Sequence, residues 1–126
     1  MPSNILTRAL AANAAFSAVS GVALVAGAAP LAGWLGIPSW LGVAIGTGLV
    51  LFAVSVARVA RSPQRRDVRQ VIGLDIAWVI GAIVIIVGFP HAMSTAGLWA
   101  LGIVTVAVAD FAAFQALGLR RQEVSA

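Results

Sequence analysis

The stretch ARVARSPQRRDVRQVIGLDIAWVIGAIVIIVGFP, residues 57–90, gathers five of the chain's arginines ahead of a run, Gln70 to Phe89, whose single ionisable side chain is Asp75. About 20 consecutive apolar residues are what an α-helix needs to cross roughly 30 Å of hydrocarbon. Lipid offers the backbone no hydrogen bonds, so a spanning segment must satisfy its own. The run is also continuously apolar, without the alternation of a barrel strand. It therefore predicts a membrane-spanning helix over about 68–89, ended by Pro90, with the basic segment RSPQRRD (Arg61 to Asp67) as a connection in water.

Working outward, three more runs have the same character: about 5–29, stopping at Pro30; about 40–59; and about 95–119. The other connections, PLAGWLGIP (Pro30 to Pro38) and PHAMS (Pro90 to Ser94), are short and carry no acid, arginine or lysine. Short links make successive helices antiparallel neighbours. The expectation is an all-α membrane protein, an up-down-up-down four-helix transmembrane bundle forming one domain over residues 1–126. Composition agrees: 61% of the 126 residues are apolar and 10% charged, against about 25% charged in soluble domains. A water-soluble fold of this size buries only about two-thirds of its surface. The opening residues mimic a signal peptide, with Arg8, an apolar stretch and then Gly27, Ala28 and Ala29. The stretch is too long for a cleaved leader and reads as an uncleaved first span.

The arginines set an expected orientation. Arg61, Arg65, Arg66 and Arg69 surround the middle connection, Arg58 precedes it, Arg8 lies near the start and Arg120 and Arg121 near the end. Four spans put all of these on one side, and cytoplasmic loops carry excess Lys/Arg, so both termini are expected in the cytoplasm. Trp34, Trp40, Phe89 and Trp99 fall at the opposite interface, where amphipathic rings belong. The absence of lysine, with abundant Ala, Val, Gly and Arg, points to a GC-rich bacterial genome and hence to a bacterial inner membrane. The net charge of +4 is spread between apolar runs, not gathered on the basic face that nucleic-acid binding requires. Without cysteine, disulfides, thiol catalysis and iron–sulfur clusters are excluded. The lone His91 rules out a bis-histidine haem within one chain, and no acids near it favour a metal site.

Polar residues inside the spans are the candidate functional groups, because intramembrane ionisable side chains are costly to place. At 1.5 Å per residue, Asp75 lies roughly 10 Å inside from Val68 and Asp110 roughly 13 Å inside from Leu119. The two carboxylates are thus expected at similar levels. Asn13, Ser17, Ser55, Arg58 and Gln115 belong to the same half, and Trp78 lies one turn beyond Asp75. Arg58 reaches toward Asp75 or snorkels to the headgroups. These groups form a structural hydrogen-bond network, a proton relay or the polar floor of a ligand site. The segments GLDIAW and AVADFA lack the motifs of the intramembrane aspartyl signal peptidase. Arg61, Arg65, Arg66 and Arg69 suit anionic lipid headgroups. Small residues recur at Gly42 and Gly46, and at Gly73, Ala77 and Gly81, as in close-packed membrane helices; Asp75 faces away from the latter ridge.

The segments PLAGWLGIP, the Arg/Pro connection, DIAWVIG and the close STAGLW…FQALGLRR resemble a broad group of small bacterial four-span inner-membrane proteins. The resemblance covers nearly the whole chain and implies the fold and location above, with no named activity. Three functional readings follow. The leading one is a non-enzymatic accessory or scaffold, or a bundle that binds a lipophilic ligand, within the lipid bilayer as a homo-oligomer or part of a larger membrane complex. The second is a small oligomeric proton-coupled transporter or channel using Asp75 and Asp110. The third is an intramembrane enzyme acting on a lipid-soluble substrate.

Overall fold

The computed structural model describes residues 4–125. These fold into five helices: α1 (Asn4–Ala26), α2 (Ala28–Leu35), α3 (Ser39–Arg61), α4 (Arg65–Gly88) and α5 (Thr95–Ser125). All but α2 are long and apolar enough to cross a membrane, and together they form a four-helix, multi-pass membrane bundle. The aromatic side chains Trp34, Trp40, Phe89 and Trp99 are all exposed at the end opposite the arginine-bearing connection.

The first span departs from expectation. Its helix ends at Ala26, not Ala29, and Pro30 sits in the first turn of the short α2 instead of ending the span. Proline has no N–H to return to the carbonyl of Ala26, so the ladder breaks there. On either side it continues, with the Gly27 N–H donating to Ala23 O at 2.8 Å and the Leu31 N–H to Gly27 O at 3.0 Å. Gly36 then terminates α2 with φ of 74°, a left-handed conformation glycine adopts without a steric penalty. Ser94 ties this turn to α5. Its hydroxyl donates to Trp34 O at 2.7 Å while accepting the Gly97 N–H at 3.0 Å, and its N–H donates to Leu35 O at 3.1 Å. One N-cap residue thus fastens the connecting helix over the bundle end.

Around the bundle the order is α3–α1–α5–α4. Helix α1 packs closely on α3 and on α5, and α4 packs on α5, whereas α3 and α4 scarcely touch although they are consecutive. The middle pair is therefore not the neighbour pair its short link predicts. At the arginine-bearing end, Leu6, Leu10, Val56, Val68, Val71 and Leu119 close the interior as an apolar plug drawn from all four spans. Farther along, α1 and α3 approach so nearly that a Cβ on Gly21 or Gly46 would lie 2.7 Å from the other's carbonyl oxygen. On α3, Gly46 thus packs against α1 and Gly42 is buried, whereas Gly73, Ala77 and Gly81 on α4 are exposed.

Gly21→Val is expected to destabilise the bundle by about 1–3 kcal/mol, because the added atoms force two backbones apart. Gly81→Ala, with nothing within 4 Å of the new Cβ, is expected to leave stability unchanged or slightly higher. Thermal unfolding midpoints in mild detergent compare the two.

Candidate functional site

Three helices bring a polar side chain to one level. Counted from helix ends at the arginine-bearing side, Asn13 is nine residues from Asn4, Asp75 ten from Arg65 and Gln115 ten from Ser125. At 1.5 Å per residue each lies about 14–15 Å along its helix. The three side chains form a closed triangle. Asn13 Nδ2 donates to Asp75 Oδ2 and to Gln115 Oε1, both at 2.9 Å, and Gln115 Nε2 donates to Asp75 Oδ2 at 2.9 Å. Ser17 Oγ extends the network by donating to Asn13 Oδ1 at 3.4 Å. All four are buried, with Asn13 at 1%, Asp75 at 3%, Gln115 at 0% and Ser17 at 5% exposure. Both hydrogen bonds to Asp75 among the described residues end on Oδ2, and none ends on Oδ1.

Asp110 is not part of this site. It is exposed, and five residues separate it from Gln115, which turns it roughly 140° around α5 at 100° per residue. The expectation of two carboxylates at one level fails because α5 continues past Leu119 to Ser125. The residue of α5 that is level with Asp75 is Gln115. Arg58 is also exposed and, among the described residues, forms no ion pair with Asp75. Ser55 is exposed and donates back to Leu51 O of its own helix at 3.0 Å. Arg61, Arg65, Arg66 and Arg69 are all exposed around the α3–α4 connection, and Arg65 and Arg69 also make intramolecular interactions.

Beyond the triangle, away from the arginines, the helices enclose a cavity of about 300 Å³. Its polar floor is Asn13, Ser17 and Asp75, and Phe16, Phe52 and Trp78 stand in its walls. A second chamber of about 190 Å³ continues toward α2 and shares Ser20, Ile45, Leu49, Trp78 and Val104 with the first. The lining is otherwise apolar. On the side where α3 and α4 diverge, the lining residues Gly48 and Leu74 are exposed, so the cavity opens laterally, toward what is hydrocarbon in a membrane. Opposite this opening, Phe16 and Phe111 pack edge to face with ring centroids 5.6 Å apart and seal the α1–α5 seam. The Trp78 indole N–H is buried and has no hydrogen-bond partner among the described residues.

The sequence reading missed Ser20, Phe16 and Phe52 as wall residues. For α1 the signal was present, since positions 13, 16, 17 and 20 follow the i, i+3, i+4, i+7 spacing of one helix face. It also missed Ser94, whose place before TAG at a helix start is an N-cap signature. No protein-family profile, curated protein or solved structure matches the chain.

Removing one member of the triangle strands the hydrogen-bonding groups of the other two. Gln115→Leu is expected to cost about 1–3 kcal/mol, the penalty of leaving buried polar atoms unsatisfied. Asn13→Ala and Gln115→Ala are expected to be non-additive, with a coupling of at least about 0.5 kcal/mol, because they share Asp75 Oδ2. Equilibrium unfolding of the two single variants and the double variant measures the coupling.

Proposed function

We propose that the protein is a non-enzymatic membrane bundle that binds a lipophilic small molecule between its helices, received from the bilayer through the gap between α3 and α4. The observation that carries this reading is the cavity of about 300 Å³, within the size range of ligand pockets, which are mostly apolar with a few converging polar groups. Asn13, Ser17 and Asp75 form a polar floor at one end, so an amphiphilic guest docks its head against Asp75 and its body along the outer chamber. Trp78 stands in the wall that both chambers share. A carrier or enzyme built on paired carboxylates has less support, because Asp75 is buried in the triangle while Asp110 lies on the exposed face of α5.

Val104 lines both chambers. Val104→Trp is expected to fill the space and abolish retention of a small lipophilic molecule while the helices stay folded. Native mass spectrometry of the full chain released from mild detergent reads this directly. Retention by the wild type and by Val104→Trp alike would overturn the reading.

A second, compatible reading is that the bundle is an accessory subunit, and Asp110 favours it. An exposed carboxylate within a spanning segment is costly in lipid, and a neighbouring subunit's helix bearing a cation or an amide donor would relieve that cost. Asp110→Leu is then expected to dissociate the assembly, reported as subunit number by native mass spectrometry. A monomeric wild-type protein that Asp110→Leu merely stabilises would count against it.

The same proposal places the protein in a bacterial inner membrane with both termini and the arginine cluster in the cytoplasm. The chain contains no cysteine, so single cysteines report topology cleanly. In intact cells, Ala92→Cys is expected to react with an impermeant maleimide and Ser62→Cys to react only after lysis. The reverse pattern would invert the assignment.

A further inference from the structure

The identity of the guest's polar group follows from charge, on the premise that the cavity is a lipophilic binding site. Among the described residues lining either chamber, Asp75 is the one ionisable group. The neighbours that face it are uncharged and do not titrate near neutral pH: Asn13 and Ser17 from α1, Phe52 from α3, and Gln115 and Val108 from α5. Two amide N–H groups solvate Oδ2 without neutralising the carboxylate, and Arg58 of α3 is exposed elsewhere. A charge held in low dielectric without a counter-charge is strongly unfavourable. Either a proton or a cationic guest must supply the missing charge.

The walls favour the cation. Phe16, Phe52 and Trp78 all line the chamber above Asp75, and aromatic faces attract cations through their quadrupoles, tryptophan most of all. An anionic head would instead meet a carboxylate, with no arginine in the lining.

We propose that the chamber binds a lipophilic monovalent organic cation, an amine or ammonium carried on an apolar body. The cationic group pairs with Asp75 Oδ1 and the body lies against the aromatic walls and the outer chamber. Proton and guest compete for the same oxygen. When the cation docks, one proton leaves Asp75 for water, and when the cation departs one returns, so the charge of the site is conserved. Binding of the cation therefore strengthens as pH rises through the titration of Asp75, whereas binding of a neutral guest does not.

The test compares n-octylammonium with 1-octanol, two guests of one chain length that differ in charge. Each is titrated calorimetrically into the full-length protein in nanodiscs of zwitterionic lipid at two pH values. Octylammonium is expected to bind about tenfold or more tightly than octanol, the factor associated with a hydrogen bond to a charged group, and to weaken at the lower pH. Asp75→Asn is expected to erase that difference, and circular dichroism of the same sample certifies that the variant is folded. Trp78→Leu is expected to weaken octylammonium severalfold more than octanol, an independent check should Asp75→Asn not fold. Equal affinities of the two guests for the wild type, or a cation preference that survives Asp75→Asn, would overturn the cation assignment and leave the lipophilic site standing. Saturable binding of neither guest would overturn both.

Discussion

A carboxylate surrounded by hydrocarbon must be solvated by the protein itself, and the triangle of Asn13, Asp75 and Gln115 does this with amide N–H groups from two other helices. The rest of the architecture follows from that requirement. Because the three side chains are short and their hydrogen bonds directional, α1, α4 and α5 are held at one relative depth and rotation. A slide of a single residue along any of these helices turns the polar group by about 100° and breaks the network. The apolar plug beneath the triangle and the edge-to-face contact of Phe16 with Phe111 pack within a register that the triangle specifies.

Helix α3 contributes no member to this network, and its freedom shapes the cavity. It is fastened to α1 through the Gly21–Gly46 approach and joined to α4 by a connection of only three residues, Ser62 to Gln64. Beyond the plug, the described residues of α3 and α4 scarcely meet. The fissure left between them gives the cavity an apolar side opening, and α2 covers the far end through the hydrogen bonds of Ser94 to Trp34 and Leu35. A polar floor, aromatic walls, a capped top and a lateral mouth therefore arise from where packing is complete and where it is not.

The four spans, their approximate limits and the placement of the basic and aromatic residues were legible in the sequence, because the length and continuity of apolar runs act locally. Span ends read less well. Pro30 reads as a terminator in the sequence, whereas the backbone resumes a helix after one lost hydrogen bond, and α5 continues past Leu119 because Arg120 and Arg121 suit helix as readily as water. That second error matters most for the site, since counting from Leu119 pairs Asp75 with Asp110, while counting from Ser125 pairs it with Gln115. Asn13, Ser17 and Gln115 were recognisable as costly polar groups in apolar runs. Their partners were not, since depth along a helix is readable from sequence more easily than rotation about it.

By itself, then, the sequence determined that the chain resides in lipid, how often it crosses, and which few side chains carry an unfavourable cost there, because each of these depends on the transfer of individual residues between water and hydrocarbon. Only the tertiary structure decided that Asp75 turns inward and Asp110 outward, that the small-residue ridge of α4 stays uncovered, and that consecutive helices α3 and α4 part to leave a cavity. Those outcomes depend on how whole helix surfaces fit one another, and no single residue encodes the rotation that makes them fit.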